Sequence, residues 1–314
     1  MMKNVIFALV TLSSPFFTRA QQQLFVTTGY NDDGSLADSE LISLGGNGDC
    51  GKPADYPSYI RGTIGGLVNG KMTVCGGGYF LVYSGDCFQY QPDTNEWTEF
   101  PALSEIRSGA ASVDGPEGLW AAGGYEGGPL KNSSEVFNEA IEAWVPGPVL
   151  PNQLYDHCMV QINSTHTAVI GGYSTMERIL AETWIYNWAS QTWSQQPDMK
   201  VPRDDHYCAL LPDGNILVAG GVTTDNEYTN AVEIFDIQSR TWSDGPALPE
   251  NRWGGRAVTN DQGEVILVAG RISLAFTETL LKFTGQGWET LTEQMALPRH
   301  YTTVFSFDEQ TICP

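Results

Sequence analysis

The sequence lacks the motifs that mark the common catalytic classes. It has no Gly-X-Ser-X-Gly nucleophile elbow, no His-Glu-X-X-His zinc motif, no Cys-X-X-Cys pair and no phosphate-binding loop. Positive charge is also scarce, because only 16 of the 314 residues are Lys or Arg, against 37 Asp or Glu, which gives a formal net charge of −21. Nucleic acids and anionic membranes attract patches of Lys and Arg, so this composition argues against both as partners.

The apolar run near the N-terminus is too short to cross a bilayer. Val5 to Leu12 follows Lys3 and precedes Thr18-Arg19-Ala20, where small residues flank the arginine as signal peptidase requires. Since a spanning helix needs about 20 apolar residues, we expect a cleaved secretion signal at residues 1–20 and no membrane insertion. The competing interpretation is a buried N-terminal strand. We therefore expect a secreted, extracellular mature chain, residues 21–314, whose formal charge becomes −23 because the signal carries two basic and no acidic residues.

A repeat of nearly constant length is the strongest pattern in the sequence. Glycine pairs or their remnants recur at a spacing of 47 to 50 residues, and tryptophans follow in the same register. An aromatic residue lies seven positions before each of the first four tryptophans. The glycines are Gly76-Gly77, Gly123-Gly124, Gly171-Gly172, Gly220-Gly221 and Gly270; the tryptophans are Trp97, Trp144, Trp193, Trp242 and Trp288; the aromatic residues are Tyr90, Phe137, Tyr186 and Phe235.

The stretch from Asp205 to Trp242 shows what one repeat contains. Two apolar runs are joined by Pro212-Asp213-Gly214-Asn215, and Asp-Gly tolerates the positive φ angles of a tight hairpin turn. The pair Gly220-Gly221 then allows a bulge or the close approach of another backbone. A third run, Val232 to Ile237, precedes Trp242, a large apolar anchor that begins a fourth strand. Each repeat thus predicts one sheet of four short antiparallel strands.

With this period and these motifs, the chain resembles the kelch family over its whole mature length. The resemblance implies an all-β propeller, a single domain in which each repeat forms one four-stranded blade. Kelch propellers include protein-binding modules, carbohydrate-processing enzymes and copper oxidases, so the fold alone does not select a function. The copper oxidases use histidine and tyrosine ligands and a cysteine crosslinked to tyrosine, usually on a seven-bladed ring. Here an even number of cysteines suits disulfides, and we expect neither a metal nor a cofactor.

The two ends of the chain together predict the sixth blade. Leu24 to Gly29 resembles the second strand of a blade and Glu40 to Leu44 the third, with Cys50 in the place of the tryptophan. The segment from Arg299 to Phe307 resembles an innermost strand without a blade of its own. We therefore predict a six-bladed kelch propeller whose first blade is closed by the C-terminal strand, so that the ring has no open edge.

Six cysteines in a secreted chain suggest three disulfides. Cys75 lies just before a glycine pair and Cys87 begins the next strand, so one hairpin can bring them face to face. The other two predicted pairs are Cys158 with Cys208, on nearly equivalent innermost strands of neighbouring repeats, and Cys50 with Cys313, at the chain ends.

Two Asn-X-Ser/Thr sequons fall in predicted loops between strands. They begin at Asn132 and Asn163. Exposed loops of a secreted protein are the places where such sequons receive glycans, so both are candidate glycosylation sites.

Arginines recur just before the predicted innermost strands, in what we call the lead-in segments. Five of the nine arginines of the mature chain lie there: Arg61, Arg107, Arg203, Arg252 and Arg299. One hypothesis is a ring of guanidinium groups at a mouth of the central channel that binds carboxylates, sulfates or phosphates. Intracellular kelch domains bind acidic peptides in this way, and Ile106 to Ala110 resembles one of their segments. The competing interpretation is that the arginines tie neighbouring blades together through carbonyls and carboxylates.

Three of the four histidines share this region. His157 and His206 each lie fourteen residues before a glycine pair, and His300 follows Arg299. Imidazole can ligate a metal or serve in acid–base catalysis, although kelch repeats also carry packed, hydrogen-bonded histidines here. Trp253 occupies the corresponding place in blade 6, where it is either a platform for a sugar ring or a core residue.

Three classes of function remain open. The first is a secreted, non-enzymatic module that binds a protein or a glycan, with an extracellular matrix component as one form of it. The second is a sugar-modifying enzyme, similar to the bacterial kelch epimerases of acidic sugars, that uses the arginines and histidines on a carboxylate. The third is an acidic matrix protein that binds calcium or mineral weakly through dispersed carboxylates. We favour the first, without enzymatic activity, because the repeat is complete and catalytic signatures are missing.

Overall fold

Every regular element of the described chain is an antiparallel β-strand. The computed structural model describes residues 22–45, 51–175, 178–260 and 262–308. Those residues contain no α-helix, and none of their segments forms a helix long and apolar enough to span a membrane. The predicted secretion signal, residues 1–20, lies outside the described residues.

Six sheets run outward from a central channel, and we number them as blades 1 to 6. Five of them have four strands, and blade 1 has three among the described residues. From the channel outward the strands are Thr303–Asp308, Gln22–Thr27 and Ser39–Leu44 in blade 1; Ile64–Val68, Lys71–Cys75, Cys87–Gln91 and Glu96–Phe100 in blade 2; Ala111–Gly115, Gly118–Ala122, Ser134–Asn138 and Ala143–Pro146 in blade 3; Cys158–Asn163, His166–Ile170, Thr183–Asn187 and Thr192–Gln196 in blade 4; Tyr207–Leu210, Ile216–Ala219, Val232–Asp236 and Thr241–Asp244 in blade 5; and Arg256–Thr259, Val265–Val268, Thr279–Phe283 and Trp288–Gln294 in blade 6.

Short hairpins extend four of the loops between second and third strands. They pair Tyr30–Asn31 with Gly34–Ser35 in blade 1, Gly78–Tyr79 with Val82–Tyr83 in blade 2 and Tyr173–Ser174 with Arg178–Ile179 in blade 4; in blade 6, Arg252–Trp253, Arg271–Ile272 and Ala275–Phe276 form a small three-stranded sheet.

The repeated tryptophans hold each outer strand to the preceding blade. Trp97, Trp144, Trp193, Trp242 and Trp288 all lie in fourth strands and pair with an aromatic residue of the third strand. In blade 6 that partner is Phe283, five rather than seven residues before the tryptophan. Every one of these indoles donates its N–H to a backbone carbonyl 42 to 45 residues earlier, over 2.8–3.0 Å. The aromatic spacing is therefore a cross-strand contact, and the indole N–H is a link between blades.

The glycine pairs end the second strands because another backbone packs against them. Gly171 has a φ of 58°, and a Cβ placed on it would lie 2.6 Å from the carbonyl oxygen of Arg203 in the next blade. Gly172 donates its N–H to that same carbonyl over 2.9 Å. The predicted close approach of a second backbone is confirmed. Ala269 in blade 6 and Thr28 in blade 1 adopt φ of 62° and 60° where blades 2 to 5 have the first glycine.

The innermost strands close a ring. Each contacts the next in the order of the blades, and the strand of blade 1, Thr303–Asp308, contacts that of blade 2, Ile64–Val68. The C-terminal strand pairs with Gln22–Thr27, as predicted. Six core clusters lie between successive blades and combine apolar side chains from both neighbours. This arrangement is consistent with the six blades predicted from the sequence.

Two of the three predicted disulfides are present. Cys75 is joined to Cys87 across the second and third strands of blade 2. Cys158 is joined to Cys208, so that the innermost strands of blades 4 and 5 are linked covalently. Cys50 and Cys313 lie outside the described residues, as does the position expected for the fourth strand of blade 1.

Deleting residues 300–314 should destabilise the whole ring rather than one blade. The deletion removes the strand that closes blade 1, including the buried Phe305 and Phe307. Loss of a buried Phe side chain alone costs about 3–5 kcal/mol, so we expect a loss above about 5 kcal/mol in thermal or urea unfolding. Truncation after residue 308 is the control, because it keeps the strand. Equal melting temperatures for full-length protein and the 300–314 deletion would contradict closure as a source of stability.

Candidate functional site

The two faces of the propeller carry different connections. The lead-in segments and the loops between second and third strands lie on one face, which we call the loop face, because adjacent strands are antiparallel. The turns between first and second strands and between third and fourth strands lie on the opposite turn face. Long loops that converge on a rigid scaffold are common locations for binding sites, so the loop face is the first place to search.

A closed ring of backbone hydrogen bonds surrounds the channel on the loop face. One residue of each lead-in segment donates its N–H to the carbonyl of its counterpart in the preceding blade, over 2.8–3.0 Å. All six residues have positive φ, between 50° and 71°. We call them the mouth ring: Gly62, Gly109, Asp156, Asp205, Gly254 and Tyr301.

Four of the five predicted ligand-binding arginines are buried inside blades. Arg107, Arg203, Arg252 and Arg299 are 0% exposed, and each lies two residues before the mouth ring. Their guanidinium groups bond to backbone carbonyls and side chains of their own blades. The prediction of a ring of accessible guanidinium groups is therefore wrong for these four arginines. They instead tie loops and strands together.

Arg203 illustrates this structural role. Nη1 donates to the carbonyls of Gly220 and Ala231, over 2.9 and 2.8 Å. Nη2 donates to Glu233 Oε1 over 2.6 Å. The Glu233 carboxylate in turn accepts backbone N–H bonds from Lys200 and Val201, in the linker from blade 4. A buried ion pair of this kind holds three segments in one arrangement, and Arg107 with Glu135 and Arg299 with Glu40 repeat it.

Arg61 does not occupy the equivalent position. Ile60 lies two residues before the mouth ring in blade 2, and Leu154 occupies the equivalent position in blade 4. These two blades therefore lack the buried arginine. Arg61 is one residue nearer the ring and only half-buried. Its guanidinium lies 4.5 Å above the Tyr30 ring. Arg61 is thus the predicted arginine that reaches the mouth.

The three lead-in histidines are buried and neutral. Burial lowers the pKa of His157, His206 and His300 to about 3, with nearby arginines adding to the effect. None of their ring nitrogens has a hydrogen-bond partner among the described residues. His300 packs instead against aromatic rings, including those of Tyr30 and Phe276. A base with so low a pKa accepts protons poorly at neutral pH, so the geometry does not favour acid–base catalysis by these residues.

Trp253 is a buried residue rather than a sugar platform. Tyr228 stacks on its ring with centroids 5.1 Å apart and planes 4° from parallel. The Arg271 guanidinium lies 5.4 Å from its centroid, and its indole N–H donates to the Ser273 carbonyl over 2.9 Å. With its ring covered in this way, Trp253 has no free face for a sugar.

Aromatic residues from all six blades surround the mouth. In blades 2 to 4, Tyr83 contacts Tyr125, Tyr125 contacts Tyr155, and Tyr155 contacts Tyr173, with centroids 5.2–6.4 Å apart. Blades 1, 5 and 6 contribute a second group through ring contacts of Tyr30 with Phe276 and of Trp253 with Tyr228 and Tyr301. We call these nine residues the aromatic collar: Tyr30, Tyr83, Tyr125, Tyr155, Tyr173, Tyr228, Trp253, Phe276 and Tyr301.

A cavity of about 190 Å³, the mouth pocket, opens within the collar. Its walls include Phe80, Tyr83, Tyr125, Tyr155 and Tyr301, with Arg61 on one side and Asp156 on the other, and glycines at positions 62, 78 and 109. Beyond the mouth ring lies a second cavity of about 160 Å³, the channel cavity, whose lining includes His157, His206 and Arg256.

Three carboxyl groups near the mouth have raised pKa values. Burial raises the pKa of Asp156, and the nearby carboxyl groups of Asp205 and Asp204 raise it further. Burial and Asp205 raise the pKa of Asp204 to about 8, and burial raises that of Asp205 to about 6. Tyr301 donates its hydroxyl to Asp205 Oδ2 over 2.8 Å. Among the described residues, no three His, Cys, Asp or Glu side chains are placed to hold one metal ion.

The sequence contains a signal for the collar that the arginine pattern obscured. Aromatic residues directly follow the glycine positions in Gly29-Tyr30, Gly124-Tyr125 and Gly172-Tyr173. The second strand ends here at the loop face, so the side chain of the residue after the glycine can reach the mouth. In the sequence, Asp156 and Asp205 are distinguished only by their position directly before His157 and His206.

The two candidate glycosylation sites lie on opposite faces. Asn132 is exposed in the loop before the third strand of blade 3, on the loop face. Asn163 is exposed at the end of an innermost strand, on the turn face, and its Oδ1 accepts the Thr165 N–H over 2.9 Å. Their accessibility is compatible with glycan attachment, which stays a prediction.

Comparison with known proteins defines the class. The Kelch motif family matches residues 206–249, the repeat with the clearest hairpin. The solved structure titled "Structure of YjhT" superimposes with a TM-score of 0.69, covering 85% of this chain and 97% of that one at 12% identity, a likeness that concerns the fold alone. The Kelch motif and the likeness in fold together support a kelch-repeat β-propeller.

Two named relatives share part of this sequence. Kelch-like protein 33 from Homo sapiens is 29% identical over 106 residues, which cover 32% of this chain and 20% of that protein. Spermatocyte protein spe-26 from Caenorhabditis elegans is 29% identical over 89 residues, 28% of this chain and 15% of that protein. The chain therefore matches only about a fifth or less of the length of either relative.

Replacing Arg203 with Ala should unfold the protein more easily, whereas replacing Arg61 with Ala should have little effect on stability. Removal of one partner from a buried ion pair costs about 3–5 kcal/mol, because Glu233 is left buried and unpaired. Loss of the half-buried Arg61 should cost less than about 1 kcal/mol. Urea unfolding of both variants checks this. Equal, small losses would show that Arg203 is not a structural tie.

Replacing His300 with Phe should reduce the sensitivity of the fold to acid. In the folded chain burial lowers the His300 pKa to about 3, whereas the unfolded chain takes up a proton below its ordinary value near 6.5. Folding stability therefore falls as pH decreases from 6.5 towards 3, by about 1.4 kcal/mol per pH unit for this residue. The loss of unfolding free energy between pH 7 and pH 5 should be about 2 kcal/mol smaller in the variant. Identical losses would contradict a buried neutral His300.

Proposed function

We propose that this chain is a secreted, non-enzymatic kelch propeller that binds a protein partner through its loop face. Kelch propellers generally serve as protein-binding modules. The observation that carries the proposal here is an exposed apolar hairpin beside the mouth. At its tip Phe80 is 77% exposed and Leu81 is 88% exposed.

This hairpin has the properties of an interface anchor. Tyr79 and Val82 flank the tip and are also exposed, while Phe80 at the tip and Tyr83 at the base line the mouth pocket. Contiguous exposed apolar side chains are rare on monomeric proteins and mark sites of interaction. Across the same face Leu274, at the tip of the blade 6 hairpin, is 70% exposed.

The collar supports a protein ligand as well. Tyrosine and arginine are among the residue types enriched at the energetic centres of protein interfaces, and the mouth pocket is lined by four tyrosines and Arg61. The acidic-sugar enzyme receives less support, because its proposed arginine ring is mostly buried and its histidines are weak bases. The proposal of secretion is supported by two disulfides, which persist in oxidising compartments.

A photo-crosslinking residue at position 80 should join the chain to a protein in the medium of expressing cells. The matched control is position 141, because Ile141 is also exposed and apolar at 63% but lies in a turn on the opposite face. The partner identified in this way should bind a Phe80→Ser, Leu81→Ser variant at least about tenfold more weakly than an Ile141→Ser variant. The variants should melt at the same temperature.

Crosslinks of equal strength at positions 80 and 141, or none at position 80, would contradict a partner on the loop face. Binding of the chain to a glycan array, lost in the Phe80→Ser, Leu81→Ser variant and without protein crosslinks, would replace the protein partner with a carbohydrate.

A further inference from the structure

We propose that the mouth pocket takes a single cationic side chain, lysine or arginine, of the protein partner. This inference rests on the proposed function, because it assumes that the loop face binds a protein. It reverses the ligand charge expected from the arginine pattern.

The pocket presents one carboxylate that is open to a ligand. Asp156 is half-buried and lines the pocket, and within the described part of the chain its carboxyl group has no hydrogen-bond donor and no ion-pair partner, although Arg256 and Arg61 act on it at longer range. A Cβ at position 109 would lie 2.7 Å from Asp156 Oδ1. The glycine at this position of the mouth ring therefore leaves room beside the carboxylate.

A second carboxyl group, that of Asp204, lies close to the pocket without lining it and is mostly protonated at neutral pH, because its pKa is raised to about 8. Asp204 is only 7% exposed, and its Oδ1 has no hydrogen-bond partner among the described residues. Its charge acts on Tyr155, Asp156 and Tyr301, which all line the pocket, and contributes to the raised pKa of each. A cation held in the pocket would favour the ionised form of this buried, unpartnered carboxyl group, which is a reason to expect a positive ligand there.

The walls offer aromatic faces and hydroxyl groups to the same ligand. Tyr83, Tyr125 and Tyr155 also line the pocket, and Tyr301 lies opposite Asp156 in the mouth-ring order. An ammonium or guanidinium group over such rings gains cation–π attraction, which strengthens when water is excluded. Aliphatic parts of a lysine or arginine side chain also pack on tyrosine rings.

Charge and size limit the ligand further. Arg61 is the positive group that lines the pocket, but it stacks on Tyr30, and Arg256 lies on the channel side of the mouth ring. The formal chain charge of −21 also favours a positive ligand over a negative one. At about 190 Å³ the pocket is smaller than the roughly 300–1,000 Å³ typical of drug-sized ligands, so it suits one side chain rather than a whole small molecule.

A random heptapeptide display selection against the full-length chain tests this assignment. Selected peptides should be enriched in Lys and Arg relative to the library. They should lose at least tenfold in affinity for an Asp156→Asn variant, which keeps the side-chain size and removes the charge. An Asp93→Asn variant is the matched control, because Asp93 is an exposed carboxylate in a turn of blade 2 on the turn face, and it should bind like wild type.

A substitution in the peptide tests the same contact without any effect on the folding of the propeller. Replacing the basic residue of the best peptide with norleucine should weaken binding to the wild-type chain at least tenfold. Peptides that bind without enrichment in Lys and Arg, or that bind Asp156→Asn as tightly as wild type, overturn the cationic pocket and leave the proposed function intact. Enrichment in Asp and Glu also overturns it. Failure to select any peptide, with no crosslink at position 80, overturns the protein-binding function itself.

Discussion

Six backbone hydrogen bonds between neighbouring blades fix the geometry on which the rest of this structure depends. In each, the glycine after a second strand donates to a lead-in carbonyl of the next blade over 2.7–3.0 Å. The donors are Gly29, Gly77, Gly124, Gly172, Gly221 and Gly270. Because these bonds place every lead-in segment at the same depth, the mouth ring can close through six further bonds. The apolar clusters between blades supply stability, whereas the glycine bonds set the angle and register at which they pack.

The same contacts explain why the arginines are structural. The residue whose carbonyl accepts the glycine N–H is the arginine itself in four blades, so its backbone belongs to one interface while its side chain enters its own blade. Arg107, Arg203 and Arg299 each meet a buried or nearly buried glutamate of the third strand. In these pairs the arginine charges are neutralised inside the blades. The chemical character of the mouth is therefore set by the two lead-in residues that follow each arginine position and by the residues that follow the glycines.

The sequence predicted the scaffold well and the site poorly, for one physical reason. Glycine spacing, cross-strand aromatics and two cysteine pairs depend on blade geometry, which repeats, so the strand order and closure could be predicted. Side-chain direction in the lead-in segments could not, because these residues are not in regular strands and the positive φ of the mouth ring redirects the chain. A shift of one residue is enough: Arg61 reaches the mouth, whereas the buried position of its blade is occupied by Ile60.

The composition of the mouth ring indicates which of its residues the scaffold does not require. Glycine adopts a positive φ without strain and satisfies the ring at positions 62, 109 and 254. Asp156, Asp205 and Tyr301 adopt the same conformation at φ of 50°, 51° and 53°, which costs on the order of 1 kcal/mol or more for each, and most for the bulky tyrosine. The backbone bonds of the ring would form equally well with glycine at all six positions. The ring backbone therefore does not account for these three side chains: Asp156 and Tyr301 line the mouth pocket, and the Tyr301 hydroxyl donates to Asp205 Oδ2.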